Sequence, residues 1–180
     1  MRILIITVQY YPVVSPNVYR WSAIAEYWVR QGHEVHLLCT RRRGVPDEAT
    51  RNGVQVHRAG QATLLDWTYN LVNATRRRGE TDGGPVRRYS SGRRLLEWLV
   101  DHTWRRLYWP DGSRLWYFPG KRRALRLLAD ADFDAVISVG LPFTAHLIGL
   151  ACKQAHPHLR WLVDIEDPFS YSREFFVNNF

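Results

Sequence analysis

Sulfur is scarce in this chain: two cysteines, Cys39 and Cys152, and one methionine among 180 residues. The cysteines lie far apart and neither has metal-ligand spacing around it, so the expectation is two buried free thiols in a reducing compartment. His156 and His158 flank Pro157, but no further ligand follows nearby, so no metal motif is present. Long apolar runs are missing as well, and nothing approaches the ~20 residues of a membrane span. The opening Arg2-Ile3-Leu4-Ile5-Ile6 places a charge before an apolar run, as a signal peptide does. That run is too short, and Gln9 and Pro12 follow it without a small-residue cleavage site. These absences predict a cytoplasmic protein. Two glycine-rich fingerprints are also lacking. Without G-x-G-x-x-G a nicotinamide or flavin cofactor is disfavoured, and no Walker-type Gly-Lys-Ser/Thr loop occurs.

What is present suits a globular fold. Hydrophobic residues make up 46% of the chain, enough for a proper core in one domain or slightly more. The net charge is +8 and unevenly placed. Arg76 to Arg126 holds 14 of the 25 Lys and Arg residues but 5 of the 17 Asp and Glu residues, so this segment carries the whole excess. Such a patch points to an anionic partner, either a membrane surface or nucleic acid.

The N-terminal third reads as strand, helix, strand. Arg2 to Val8 is a nearly continuous apolar run, as expected of a strand buried on both faces. After a Pro-bearing loop, Gln9 to Asn17, the residues Val18, Trp21, Ile24, Ala25 and Trp28 recur at helical spacing. Asn17 is the expected N-cap and Gly32 the expected C-cap of this helix. Val35–Cys39 and Val54–Arg58 follow as strands, joined by a polar, Arg-rich connection from Thr40 to Gly53. In the middle, Arg76 to Gly92 reads as a loop, and helices are expected over Arg93–Trp109 and Gly120–Ala129. The order then returns to strand (Ala135–Val139), helix (Phe143–Gln154) and strand (Arg160–Ile165). This alternation predicts an α/β, doubly wound Rossmann-like domain with a mostly parallel sheet. Ligands of such sheets bind outside the carboxyl ends of the strands, which singles out the loops Gln9–Asn17, Gly140–Pro142 and Glu166–Ser170.

The first loop ends at a helix N-terminus, where free backbone N–H groups and the helix dipole favour an anion such as phosphate. Its residues also carry a resemblance. An opening Arg-Ile-Leu-Ile strand, Tyr10-Tyr11-Pro12, Arg20 in the first helix and Gly32-His33-Glu34-Val35 before the second strand resemble the retaining glycosyltransferase family 4. The segments Ser138 to His146 and Asp164-Ile165-Glu166-Asp167-Pro168-Phe169 look like that family's strand-four and strand-five loops. The likeness spans essentially the whole chain in order, although no single motif is strong.

The resemblance implies the N-terminal half of a GT-B fold, two Rossmann-like domains facing across a cleft. It makes Tyr11, Ser15, Asn17, Arg20, Pro142, Phe143 and His146 the candidate substrate-binding residues. Where the family commonly has a Gly-Gly pair near the donor diphosphate, this chain has Ser15-Pro16-Asn17. Where the family often has a histidine after strand five, this chain has Glu166 beside Asp167. Either carboxylate could accept the acceptor hydroxyl's proton or stabilise positive charge on the sugar, or could instead serve as a local cap. No cofactor is implied beyond a nucleotide-sugar donor, which the family holds mainly in its C-terminal domain. The domain expected here is 1–170, with an insertion at 76–126, and 171–180 is expected to begin a linker or helix. The donor half is therefore expected from further chain or from a partner.

In the basic insertion, Arg93, Arg94, Arg105 and Arg106 flank an apolar surface that includes Trp98. Arg and Trp together on an amphipathic helix suit the headgroup region of an anionic bilayer, here the inner face of the membrane, or else the helix packs on the sheet. Lipid-linked acceptors, common in the family, agree with a peripheral membrane location. Nucleic acid is the weaker candidate partner, because no recognition motif accompanies the charge. The alternative function is a non-catalytic module that binds an anionic membrane surface, nucleic acid or a partner protein.

Overall fold

The structure is a computed structural model that describes residues 1–61, 111, 113–140 and 142–165. The elements run β1 (Arg2–Ile6), α1 (Pro16–Arg30), β2 (Glu34–Arg41), β3 (Glu48–Arg51) and β4 (Val54–Gln61). A 3-10 turn (Arg114–Trp116), α2 (Tyr117–Asp130), β5 (Ala135–Val139), α3 (Thr144–Ala155) and β6 (Arg160–Asp164) follow. The strands form one sheet in the order β3-β4-β2-β1-β5-β6. All pairings are parallel except β3 with β4. The α/β class and the mostly parallel sheet expected from the sequence are what the structure has.

Strand β1 explains why the sheet sits at the centre. Its side chains alternate between faces. Leu4 and Ile6 join Trp116, Leu127, Ile148 and Cys152 on one side, and Ile3 and Ile5 join Val18, Trp21 and Ala25 on the other. Each face is covered by helix, α2 and α3 on the first and α1 on the second, which is why β1 has almost no polar residue to spare. Trp116 is fully buried, and its indole Nε1 donates to the Ala59 carbonyl at 2.8 Å, so its one polar atom is satisfied.

Two expectations are corrected. The first helix is capped by Ser15, whose Oγ accepts from the Val18 amide at 3.2 Å, with Pro16 at the first helical position. Proline is suited to that position because its missing N–H would have no intrahelical partner. Asn17 lies inside the helix and is not its N-cap. At the other end Gln31 is the C-cap, and Gly32 follows it with φ +82°. The second correction is in the Arg-rich connection, which contains a strand. Glu48–Arg51 pairs antiparallel with β4 through a turn at Asn52 (φ 49°) and Gly53 (φ 84°). Asn-Gly is the two-residue signature of this hairpin turn, whose central residues both need positive φ. The helix expected over Arg93–Trp109 lies outside the described residues.

Candidate functional site

Strand order reverses between β1 and β5. From β1 the chain moves outward through β2 to β4, then returns to the opposite side of β1 for β5 and β6. The loops leaving β1 and β5 therefore part at this point, beyond the carboxyl ends of the strands, the place where doubly wound sheets bind their ligands. Four contacts close around it. Asn17 Nδ2 donates to the Gly140 carbonyl at 2.9 Å, so the start of α1 is tied to the exit of β5. The Gly140 amide donates to the Asp164 carbonyl at 2.8 Å, tying β5 to β6. Trp21 Nε1 donates to Asp164 Oδ2 at 2.9 Å, and the Arg20 guanidinium pairs with the same oxygen. Arg20 and Trp21, consecutive in α1, thus both reach one carboxylate on β6.

A side chain at position 140 would not fit. A Cβ built there would lie 2.8 Å from the Asp164 carbonyl oxygen and 3.1 Å from His146 Nε2. His146 comes from the first turn of α3. Its Nδ1 meets Ser138 Oγ at 2.9 Å, and its ring packs against Phe143 with centroids 5.4 Å apart. Ser138 Oγ also accepts from Trp161 Nε1 at 2.9 Å. His146 Nε2 is buried without a hydrogen-bond partner, as is Asn17 Oδ1. Burial pushes the His146 imidazole below its ordinary pKa, with the nearby Asp164 charge pulling the other way, so the ring is held neutral.

Two further residues brace the site. Asp111 stands at the start of α3 in space although 33 positions separate it from Thr144 in sequence. Its carboxylate accepts from the Thr144 amide at 2.7 Å and from Thr144 Oγ1 at 2.8 Å, which caps the helix. Burial raises its pKa, against the hydrogen bonds from Thr144 and Ser113 that lower it. Arg58 is buried on β4 and donates to the carbonyls of Pro46 at 2.8 Å and Tyr11 at 3.1 Å. It thereby anchors the first loop, in which the Tyr11–Pro12 peptide is cis. The Tyr11 ring lies against Tyr10 and Tyr19 and under the Arg51 guanidinium, 3.8 Å from its centroid.

The structure thus brings Asn17, Arg20 and His146 to one end of the sheet, with Ser15 at the head of α1 and Phe143 against His146. Pro142 is half-buried in the β5–α3 connection and accepts from the Ala145 amide through its carbonyl. Tyr11 sits farther out, bound to β3 and β4. Glu166 and Asp167 lie outside the described residues, as do Arg93, Arg94, Trp98, Arg105 and Arg106. Asp111 and Arg58 were not singled out from sequence. The first had a signal, since Asp111-Gly112-Ser113 is a turn-type sequence and the Ser113 amide donates to Asp111 Oδ1 at 2.8 Å. A buried arginine in a strand had none. Among the described residues no cluster of three or more His, Cys, Asp or Glu side chains could hold a metal ion. None of their helices is long and apolar enough to cross a membrane. Comparison with protein-family models, curated proteins and solved structures finds no match.

Proposed function

We propose that this chain is the acceptor-side half of a retaining glycosyltransferase, a Rossmann-like unit of GT-B type that works with a donor-binding half supplied by further chain or by a partner. The observation that carries the reading is the convergence at the strand-order reversal. The segments that resemble family 4, around Tyr11 to Arg20, Ser138 to His146 and Asp164 onward, are those whose contacts meet at Gly140 and Asp164. In the proposed reaction a sugar passes from a nucleotide donor to an acceptor hydroxyl with its anomeric configuration kept. Glu166 or Asp167, just beyond β6, takes the hydroxyl proton or stabilises charge on the sugar. Arg20 offers its cation to an anionic group of the acceptor in competition with Asp164. Neutral His146 contributes a hydrogen bond rather than a charge. The basic insertion with Arg93, Arg94, Trp98, Arg105 and Arg106 holds the unit at the inner membrane face, where lipid-linked acceptors lie.

The test is transfer of labelled sugar from a panel of nucleotide sugars into lipid extract, using cells that produce the chain from its own genomic locus. Loss of label in both Glu166→Gln and Asp167→Asn, with protein levels unchanged, is the expected result. Unchanged transfer in both variants would remove the catalytic assignment. Binding to any anionic vesicle with steep salt dependence, and no response to sugar nucleotides, would favour the non-catalytic module instead.

A further inference from the structure

At the other end of the sheet lies a titratable cluster that the proposed transferase chemistry does not use. The register of β2 and β4 pairs His36 with Gln55 and Leu38 with His57. His36 and His57 are therefore diagonal neighbours on the face that α2 covers, and both are buried. His36 Nδ1 and His57 Nε2 stand 2.9 Å apart. The rings are within 7° of parallel with centroids 5.2 Å apart. That separation equals the N–N distance plus two ring radii, so the imidazoles lie end to end in nearly parallel planes, and not face to face. Their outer nitrogens are occupied as well. His36 Nε2 meets Glu34 Oε1 at 2.9 Å, and His57 Nδ1 meets Glu48 Oε2 at 2.5 Å.

Counting protons along this line leads to a definite charge. A carboxylate only accepts, so each outer bond needs a hydrogen on the imidazole: Nε2 of His36 and Nδ1 of His57. With those two hydrogens both rings are neutral, and their inner nitrogens present two lone pairs to each other at 2.9 Å. Only a third hydrogen makes that contact a bond. The fully bonded chain is thus one imidazole and one imidazolium sharing a proton between two carboxylates. The remaining groups around it are arranged for that charge and for its loss. Arg2 pairs with Glu34 at 2.8 Å, and Gln55 reaches the same carboxylate. Phe133 packs edge-on to His36. From α2, Arg123 Nη2 lies 2.6 Å from Glu48 Oε1 and 3.2 Å from His57 Nδ1.

From this geometry we infer that His36 and His57 act as a one-proton switch that links β2, β3, β4 and α2. With the proton bound, His57 Nδ1–H donates to Glu48 and the hairpin strand β3 is held to the pair. When it leaves, the shared hydrogen settles on His57 Nε2 and still donates to His36, while bare His57 Nδ1 accepts from Arg123. The pair therefore has two satisfied states that differ by one proton and by whether the strand or the helix is its partner. Burial, the largest influence on His57, moves its titration to the acid side, with Glu48 opposing.

Long-range ¹H–¹⁵N spectra of the histidine rings in the full chain, from about pH 8 to about pH 5, test this directly. One shared step is expected, in which both rings move together, total uptake is one proton, and His57 changes from the Nε2–H tautomer to carrying hydrogen on Nδ1. Arg123→Met should raise the midpoint by about one pH unit and Glu48→Gln should lower it by about as much, since each removes one neighbouring charge. Two separate steps, each giving a full imidazolium, would overturn the switch. So would an absence of any step at either ring, or midpoints that ignore both substitutions.

Discussion

Asp111 is where a single residue matters most for local order. Its two hydrogen bonds to Thr144 satisfy donors at the start of α3 that would otherwise be buried without a partner. Asp111→Ala should lower stability by about 1–2 kcal/mol in urea denaturation, the range of a lost N-terminal cap. Asp111→Asn keeps an acceptor for the Thr144 amide and removes a charge that burial disfavours, so it should cost clearly less. Gly140 is limited by space. Alanine there meets the Asp164 carbonyl across the β5–β6 junction, and Gly140→Ala should cost about 1–3 kcal/mol, as overpacking does. Neither effect was legible in the sequence, because Asp111 and Thr144 lie 33 positions apart and nothing local says they meet. His146 lies early in the helix that follows β5, where the sequence pattern expects a helix. That its Nε2 ends against Gly140 depends on the packing of α3.

Hairpin β3–β4 shows the same division at the scale of an element. The Asn52-Gly53 pair was a readable turn signal, yet Glu48-Ala49-Thr50-Arg51 has no apolar alternation, and its burial is correspondingly slight. Such an edge strand is defined by its pairing to β4 more than by its own side chains. Gly53→Ala should destabilise the protein by about 1–2 kcal/mol, the cost of left-handed backbone for an L-residue, read as a shift in the denaturation midpoint. Helices α1 and α3 were visible through their 3.6-residue periodicity. Their caps were less so, since Ser15, Pro16 and Asn17 are all plausible start residues and only the backbone turn decides among them.

For the molecule as a whole, pH and thiol chemistry report on the same core. His146 and His57 both have imidazole pKa values lowered by burial. A histidine depressed in the folded state contributes stability that is present above its unfolded value of about 6.5 and is lost as pH falls through the folded value. The melting temperature should therefore fall as pH drops below about 6.5, and His146→Gln should shallow that slope. Cys39 and Cys152 are buried in the clusters on opposite faces of the sheet, and desolvation raises each thiol to about 12. Neither should react with a maleimide in the native protein at neutral pH, and both should label at the rate of global unfolding. Rapid native labelling of Cys39 would mean that the α1 face opens locally.

By itself the sequence determined the α/β class, the five parallel strands, helices α1, α2 and α3, and which loops follow the strands at the reversal of strand order. Hydrophobic periodicity is a local property, and a buried parallel strand or an amphipathic helix cannot form without it. Only the tertiary structure decided that Arg20 and Trp21 share Asp164, that Asp111 caps α3, and that His36 and His57 hold one line of hydrogen bonds between Glu34 and Glu48. These groups come together through strand order and register, which are set by the summed burial of both sheet faces and leave no trace at the individual positions they join.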